Sequence, residues 1–130
     1  MKKWKLALDI DGTITSNPDF FKDLTEKFKD IAEIHIITFR SKKYQFETIR
    51  QLQEFGIIYD YLVFVENKKE YIVEKGITIY FDDMDEFIND LPESVTVFKI
   101  REQGNFDYEQ QKWLYNNKTG RNIRLNYEIK

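Results

Sequence analysis

Cysteine is absent from this 130-residue sequence, histidine occurs once, and there are only two prolines and five glycines. Without cysteine there is no disulfide framework and no thiolate metal site. So little proline and glycine leaves no visible flexible linker, and no repeat or low-complexity stretch interrupts the chain. Long apolar runs are missing as well. The basic start, MKKWKLALD, reaches an acid after a stretch far too short for a signal peptide or a membrane span. A cytoplasmic protein with no membrane partner is the resulting expectation. Nor is there a large excess of one charge. Lys and Arg number 20 against 23 Asp and Glu, a net charge of −3 with a pI near 5.3. That balance argues against a wholesale electrostatic grip on nucleic acid.

What is present is a globular composition, 42% hydrophobic and 33% charged, with eleven Phe, eight Tyr and two Trp. The length suits one domain. Apolar runs at residues 5–9, 34–39, 61–65, 77–81 and 95–100 read as strands. Between them, helical spacing appears at 18–30 (Phe20, Phe21, Leu24, Phe28, with Asn17 as N-cap) and at 44–55 (Phe46, Ile49, Leu52, Phe55, stopped by Gly56). Shorter helices are expected at 68–75, closed by Gly76, and at 84–91, ended by Pro92. Strands apolar on both faces that alternate with helices predict a small doubly wound, Rossmann-like α/β domain. Its five-stranded parallel sheet would be covered by helices on both faces. Residues 1–100 form that core. Residues 101–130 break the rhythm and read as an extension packed on the same domain, with a β-hairpin around 117–120.

In such sheets ligands bind beyond the carboxyl ends of the strands. Asp9, Asp11 and Thr13 follow the first strand, and Thr38 and Arg40 the second. Glu66, Asn67, Lys68 and Lys69 follow the third, Asp82 and Asp83 the fourth, and Arg101 the fifth. Asp9 and Asp11, two apart on an extended backbone, point to the same side, and Asp82 can join them. Carboxylates gathered at one spot repel each other, and a hard divalent cation such as Mg2+ relieves the repulsion. Thr38 can donate to a phosphate oxygen and Lys68 can supply positive charge. A cation, a lysine and a hydroxyl around a carboxylate nucleophile are the parts of a phosphoryl-transfer site, in which Asp11 serves as general acid and base.

DIDGT, IITFR, a lysine opening a helix and YFDDMD, in that order, resemble the haloacid dehalogenase superfamily of Mg2+-dependent aspartyl phosphatases. The resemblance covers residues 4 to about 100. It implies Asp9 as the nucleophile, forming an aspartyl-phosphate, and Asp11 as acid/base with its backbone carbonyl on the metal. It further implies Thr38 and Lys68 on the phosphate, Asp82 as a direct ligand and Asp83 as support for the metal. Lys69 and Lys75 are the other candidates for the phosphate-binding lysine. Arg40, two after Thr38, is a candidate substrate contact, as in nucleotidase-like and polynucleotide-end branches. Between Asp9 and Thr38 lie 28 residues, and between Thr38 and Lys68 lie 29. Core elements fill both intervals, so the chain resembles the capless members. These leave the site open for bulky substrates or borrow a lid from a second subunit of a homo-oligomer.

The expected function is therefore a phosphomonoester hydrolase acting on a nucleotide or a nucleic-acid end phosphate. A phosphotransferase of the same superfamily and a non-catalytic phosphate-binding module are the alternatives. An EF-hand calcium loop is excluded, because with Asp9 as position one the required Gly and Glu fall on Ile14 and Phe20. His35 lies mid-strand and reads as a packed residue. Arg40, Lys42, Lys43, Lys68 and Lys69 form a basic cluster on the active-site edge, either a solvated rim or an attraction for anions.

Overall fold

The computed structural model describes residues 2–113. Five strands, β1 (Trp4–Leu8), β2 (Ala32–Thr38), β3 (Tyr61–Phe64), β4 (Ile79–Asp82) and β5 (Thr96–Lys99), form an all-parallel sheet in the order β3-β2-β1-β4-β5. The connections carry α1 (Pro18–Phe28), α2 (Gln45–Phe55), α3 (Lys68–Lys75) and the single turn α4 (Asp85–Ile88). This is the doubly wound α/β architecture that the alternation of elements predicts.

Side-chain alternation along the strands sorts the core into two layers. Leu6, Leu8, Ile34, Ile36 and Phe81 meet Phe21, Leu24 and Phe28 of α1 and Leu52 and Phe55 of α2 on one face. Ala7, Ile37 and Tyr80 meet Ile72 of α3 and Ile88 of α4 on the other. His35 belongs to this second face, buried between Glu33 and Tyr71, with each ring nitrogen 2.7 Å from a partner oxygen. α2 and α3 end where Gly56 and Gly76 take positive φ, as their positions suggest. Among the described residues no helix is long and apolar enough to cross a membrane.

Several expectations are corrected. Phe20, Phe46 and Ile49, set on the apolar stripes of their helices by spacing alone, are exposed. On α2 the buried stripe is Thr48 and Leu52, because Thr48 accepts an interior hydrogen bond from Arg40 at 3.1 Å, and this turns Phe46 outward over Arg50. The helix expected over 84–91 is one turn long. Asn89 is extended and Asp90 has a φ of 67°, in keeping with a chain that must leave the helical region before Pro92. β5 is an edge strand whose residues are mostly exposed, not a strand buried on both faces. The hairpin expected around 117–120 lies outside the described residues. A small antiparallel pair, β6 (Phe106–Asp107) with β7 (Lys112–Trp113), precedes it. Its turn is held by Asp107, whose carboxylate accepts from the backbone N–H of Glu109 and Gln110.

α3 begins at the edge of the sheet where the acids collect, and Asn67 caps it by accepting from the N–H of Glu70 at 2.9 Å. Asn67→Ala is expected to cost about 0.5–2 kcal/mol of unfolding free energy. A urea titration of both proteins checks this, and an unchanged midpoint would contradict it.

Candidate active site

The strand order reverses beside β1. The chain runs outward through β2 and β3 and then returns to place β4 on the other side of β1. Such a switch point opens a crevice at the carboxyl ends of the two strands. Register pairs Leu8 with Phe81, and the N–H of Asp9 donates to the Phe81 carbonyl at 3.0 Å. The next residues outward are therefore Asp9 and Asp82, side by side, with Asp83 following. One carboxylate oxygen from each of Asp9, Asp82 and Asp83 lies within 4.8 Å of the others, and all three residues are buried.

Lys68, the first residue of α3, enters this cluster. Its Nζ donates to Asp9 Oδ1 at 2.7 Å and to Asp82 Oδ2 at 3.0 Å, and sits 4.4 Å from the centre of the Phe87 ring. The other lysine candidates point elsewhere: Lys69 pairs with Asp90, and Lys75 lies over Tyr71. Thr13 Oγ1 donates to Asp9 Oδ2 at 3.2 Å. Asp82 also accepts from the Tyr80 hydroxyl and, at 3.0 Å, from the N–H of Met84. Asp83 differs from both. Its two carboxylate oxygens are buried without a hydrogen-bond partner, an arrangement that costs free energy unless something else satisfies them. The backbone makes room for it at Gly12, where φ is +86° and a Cβ would come within 2.1 Å of Asp83 Oδ2. Glycine is the residue that meets both demands.

Ionising all three carboxylates against one ammonium would leave an excess of two negative charges in a dry site. Burial, and then the charge of Asp82, raises the Asp9 carboxyl from 3.8 to about 7, with Lys68 pulling the other way. Burial, then the charges of Asp9 and Asp82, raises Asp83 from 3.8 to about 9. Burial opposes the charge of Lys68, but Asp9 and Asp82 more than offset it and hold the ammonium above its usual value. A divalent cation matches both the charge deficit and the unpartnered oxygens of Asp83, so the residues present fit such an ion.

Asp11 stands apart from this cluster. Its carboxylate is clamped by the buried Arg40, with Nε at 2.9 Å and Nη2 at 2.8 Å, while Arg40 Nη1 reaches Thr48. Arg40, expected at the rim as a substrate contact, is instead an interior partner of Asp11, with its side chain fully covered. Thr38 is buried at the end of β2 and accepts from the N–H of Arg40 at 3.1 Å. Of the five-residue basic cluster, Lys42, Lys43 and Lys69 are exposed and Arg40 and Lys68 are not.

Two contributors escaped the sequence reading. Tyr80 lies two residues before Asp82 on β4, so the two-residue period of the strand puts both side chains on one side and its hydroxyl donates to Asp82. Thr48 carries no such signal, because only the packing of α2 against β2 brings it to Arg40. A cavity of about 380 Å3, bordered by Lys68, Lys69, Phe87 and Asp90, opens beside the cluster.

The raised carboxyls set a pH dependence. Between about pH 4 and pH 7 for Asp9, and up to about 9 for Asp83, the folded state retains protons that the unfolded chain has released. Stability in EDTA must therefore fall as pH rises through this window, by up to about 1.4 kcal/mol per pH unit for each retained proton. Thermal melts in EDTA from pH 5 to 9 are expected to show a declining Tm, and Asp83→Asn is expected to flatten the decline above pH 7. A wild-type Tm that stays level would contradict the assignment. Comparison of the chain with protein-family models, with curated proteins and with solved structures gives no match.

Proposed function

We propose that this chain is a capless, Mg2+-dependent phosphomonoester hydrolase of the haloacid dehalogenase type, working through an aspartyl-phosphate on Asp9. The observation that carries the reading is the buried cluster of Asp9, Asp82 and Asp83 at the switch point, three carboxyl groups around the single ammonium of Lys68, with both oxygens of Asp83 unpartnered. The order of DIDGT, IITFR, Lys68 and YFDDMD supports it. The connections between Asp9 and Lys68 carry core elements alone, which supports the capless form.

Asp9, Asp82 and Asp83 would hold the cation, which supplies charge neutralisation for the phosphate oxygens. Asp9 attacks phosphorus through a carboxylate oxygen as the ester P–O bond breaks. Asp11 enters the cycle protonated, with one oxygen released from Arg40, gives that proton to the departing oxygen, and recovers one from the water that attacks the aspartyl-phosphate. The Asp9–phosphorus bond breaks and phosphate leaves. Arg40, fixed by Thr48, sets the position from which Asp11 works, and Asp11 must release part of that clamp to reach the leaving oxygen. Lys68 keeps Asp9 oriented and shares the negative charge that arrives with substrate. Lys42 and Lys43, exposed after β2, favour an anionic substrate such as a nucleotide or the phosphorylated end of a nucleic acid.

The test is hydrolysis of para-nitrophenyl phosphate with MgCl2 or EDTA, together with trapping by beryllofluoride. Turnover is expected to require Mg2+ and to fall about 10³-fold or more in Asp9→Asn. One beryllofluoride per chain is expected on wild type and none on Asp9→Asn. Turnover that survives Asp9→Asn, or the lack of both turnover and adduct in wild type, would overturn the proposal.

A further inference from the structure

Arg101 follows β5 at the same edge of the sheet as the acids, and its side chain turns back toward them. β5 is laddered to β4 as far as Asp82, which pairs with Lys99 and whose carbonyl accepts from the N–H of Ile100 at 2.9 Å. Arg101 comes one residue later. Its Nη1 donates to the backbone carbonyl of Asp83 and, at 3.0 Å, to that of Ile100. Its Nη2 donates to Asp85 Oδ1 at 3.1 Å. The side chain is only 17% exposed, and the ring of Trp113 on β7 lies 6.0 Å from the guanidinium, within cation–π reach.

The peptide unit that links Asp83 to Met84 is thereby held at both ends. Arg101 holds its carbonyl, and Asp82 Oδ1 accepts from its N–H at 3.0 Å. A peptide unit is planar, so fixing both ends fixes the backbone from which the Asp83 side chain departs. Asp9 and Asp82 are oriented through their carboxylates, by Lys68, Thr13 and Tyr80. Asp83 has no such contact, because both its oxygens are buried without a hydrogen-bond partner. Its aim comes instead from its backbone and from the space at Gly12 that receives it. Asp85, the first residue of α4, also pairs with Lys99, so two cations from the β5 side hold the start of that turn.

We propose that Arg101 is a positioning residue of the cation site: by gripping the Asp83 carbonyl and the Asp85 carboxylate together, it aims the unpartnered Asp83 carboxylate at Asp9 and Asp82. It acts through Asp83 and Asp85 and not on substrate. Lysine cannot replace it, since two arms of one rigid fork meet the two acceptors. Residues that orient metal ligands in this way are worth about 10- to 100-fold in metal affinity. The sign of the effect separates positioning from electrostatics. A cation beside the site repels a divalent ion, so charge alone would make binding tighter once Arg101 is removed. The inference rests on the cation site described above, and not on the reaction carried out there.

Mn2+, which takes the same oxygen-ligated octahedral sites as Mg2+, is the probe. Its binding to the full chain is followed by the electron paramagnetic resonance signal of the free ion, at a temperature where circular dichroism shows each protein folded. Arg101→Gln and Arg101→Lys are both expected to bind Mn2+ at least tenfold more weakly than wild type. The lysine variant keeps the charge and guards against an effect of charge loss on folding. A smaller loss in Arg101→Lys, or tighter binding by Arg101→Gln, would overturn the proposal. So would a lower Tm in EDTA with unchanged Mn2+ affinity, the mark of a merely structural arginine. If wild type binds no Mn2+, the cation site falls and this inference falls with it. Binding that wild type shows and both variants lose, without turnover of para-nitrophenyl phosphate, would uphold the role of Arg101 and count against the proposed hydrolase alone.

Discussion

The ammonium of Lys68 lies between Asp9 and Asp82, and the architecture of the site follows from what that one charge can and cannot do. It can neutralise one of three buried carboxylates, so ionising all of them would leave two charges uncompensated. Each neighbouring feature then has a physical reason. Asn67 caps α3 so that its first residue is held at the crevice, Thr13 donates to the Asp9 oxygen that Lys68 does not reach, Tyr80 shares Asp82 Oδ2 with Lys68, and Gly12 leaves the space that Asp83 occupies. A site arranged to be fully paired would not leave Asp83 without a partner. Buried carboxylates without partners are costly, and such cost is retained where a ligand offsets it.

Asp11 and Arg40 form a separate, electrically balanced unit. The bidentate contact consumes both oxygens of Asp11, and Thr48 fixes the remaining arm of the guanidinium. The two aspartates of DIDGT thus meet opposite fates two residues apart, one facing an excess of negative charge and the other a dedicated cation. That contrast is the kind of environment that separates the roles of paired carboxylates in catalysis. It also accounts for the packing of α2, whose inward face is organised around a polar residue, with Phe46 on the outside.

Which elements exist, and in what order, was legible in the chain because hydrophobic period is local information. Apolar runs marked the strands, Asn17 the start of α1, and Gly56 and Gly76 the stops of α2 and α3. The carboxyl ends of the strands were legible for the same reason, so Asp9, Asp11, Thr38, Lys68, Asp82 and Asp83 could be named together. Errors arose where local pattern and long-range contact disagree. α4 is cut short by Asn89 and Asp90, Phe20 and Phe46 point outward, and β5 is an edge whose second face the described helices do not reach.

The sequence by itself determined the α/β alternation and the set of polar residues at one edge, since both depend on spacing along the chain. Tertiary structure alone decided the partnerships: Lys68 and not Lys69 against Asp9 and Asp82, Arg40 inward on Asp11 and not outward at the rim, Asp83 unpartnered. The physical reason is distance along the chain. Lys68 and Asp9 are 59 residues apart and Arg40 and Asp11 are 29 apart. Such pairs are set by strand order and register, which place β4 next to β1, and no local pattern encodes either.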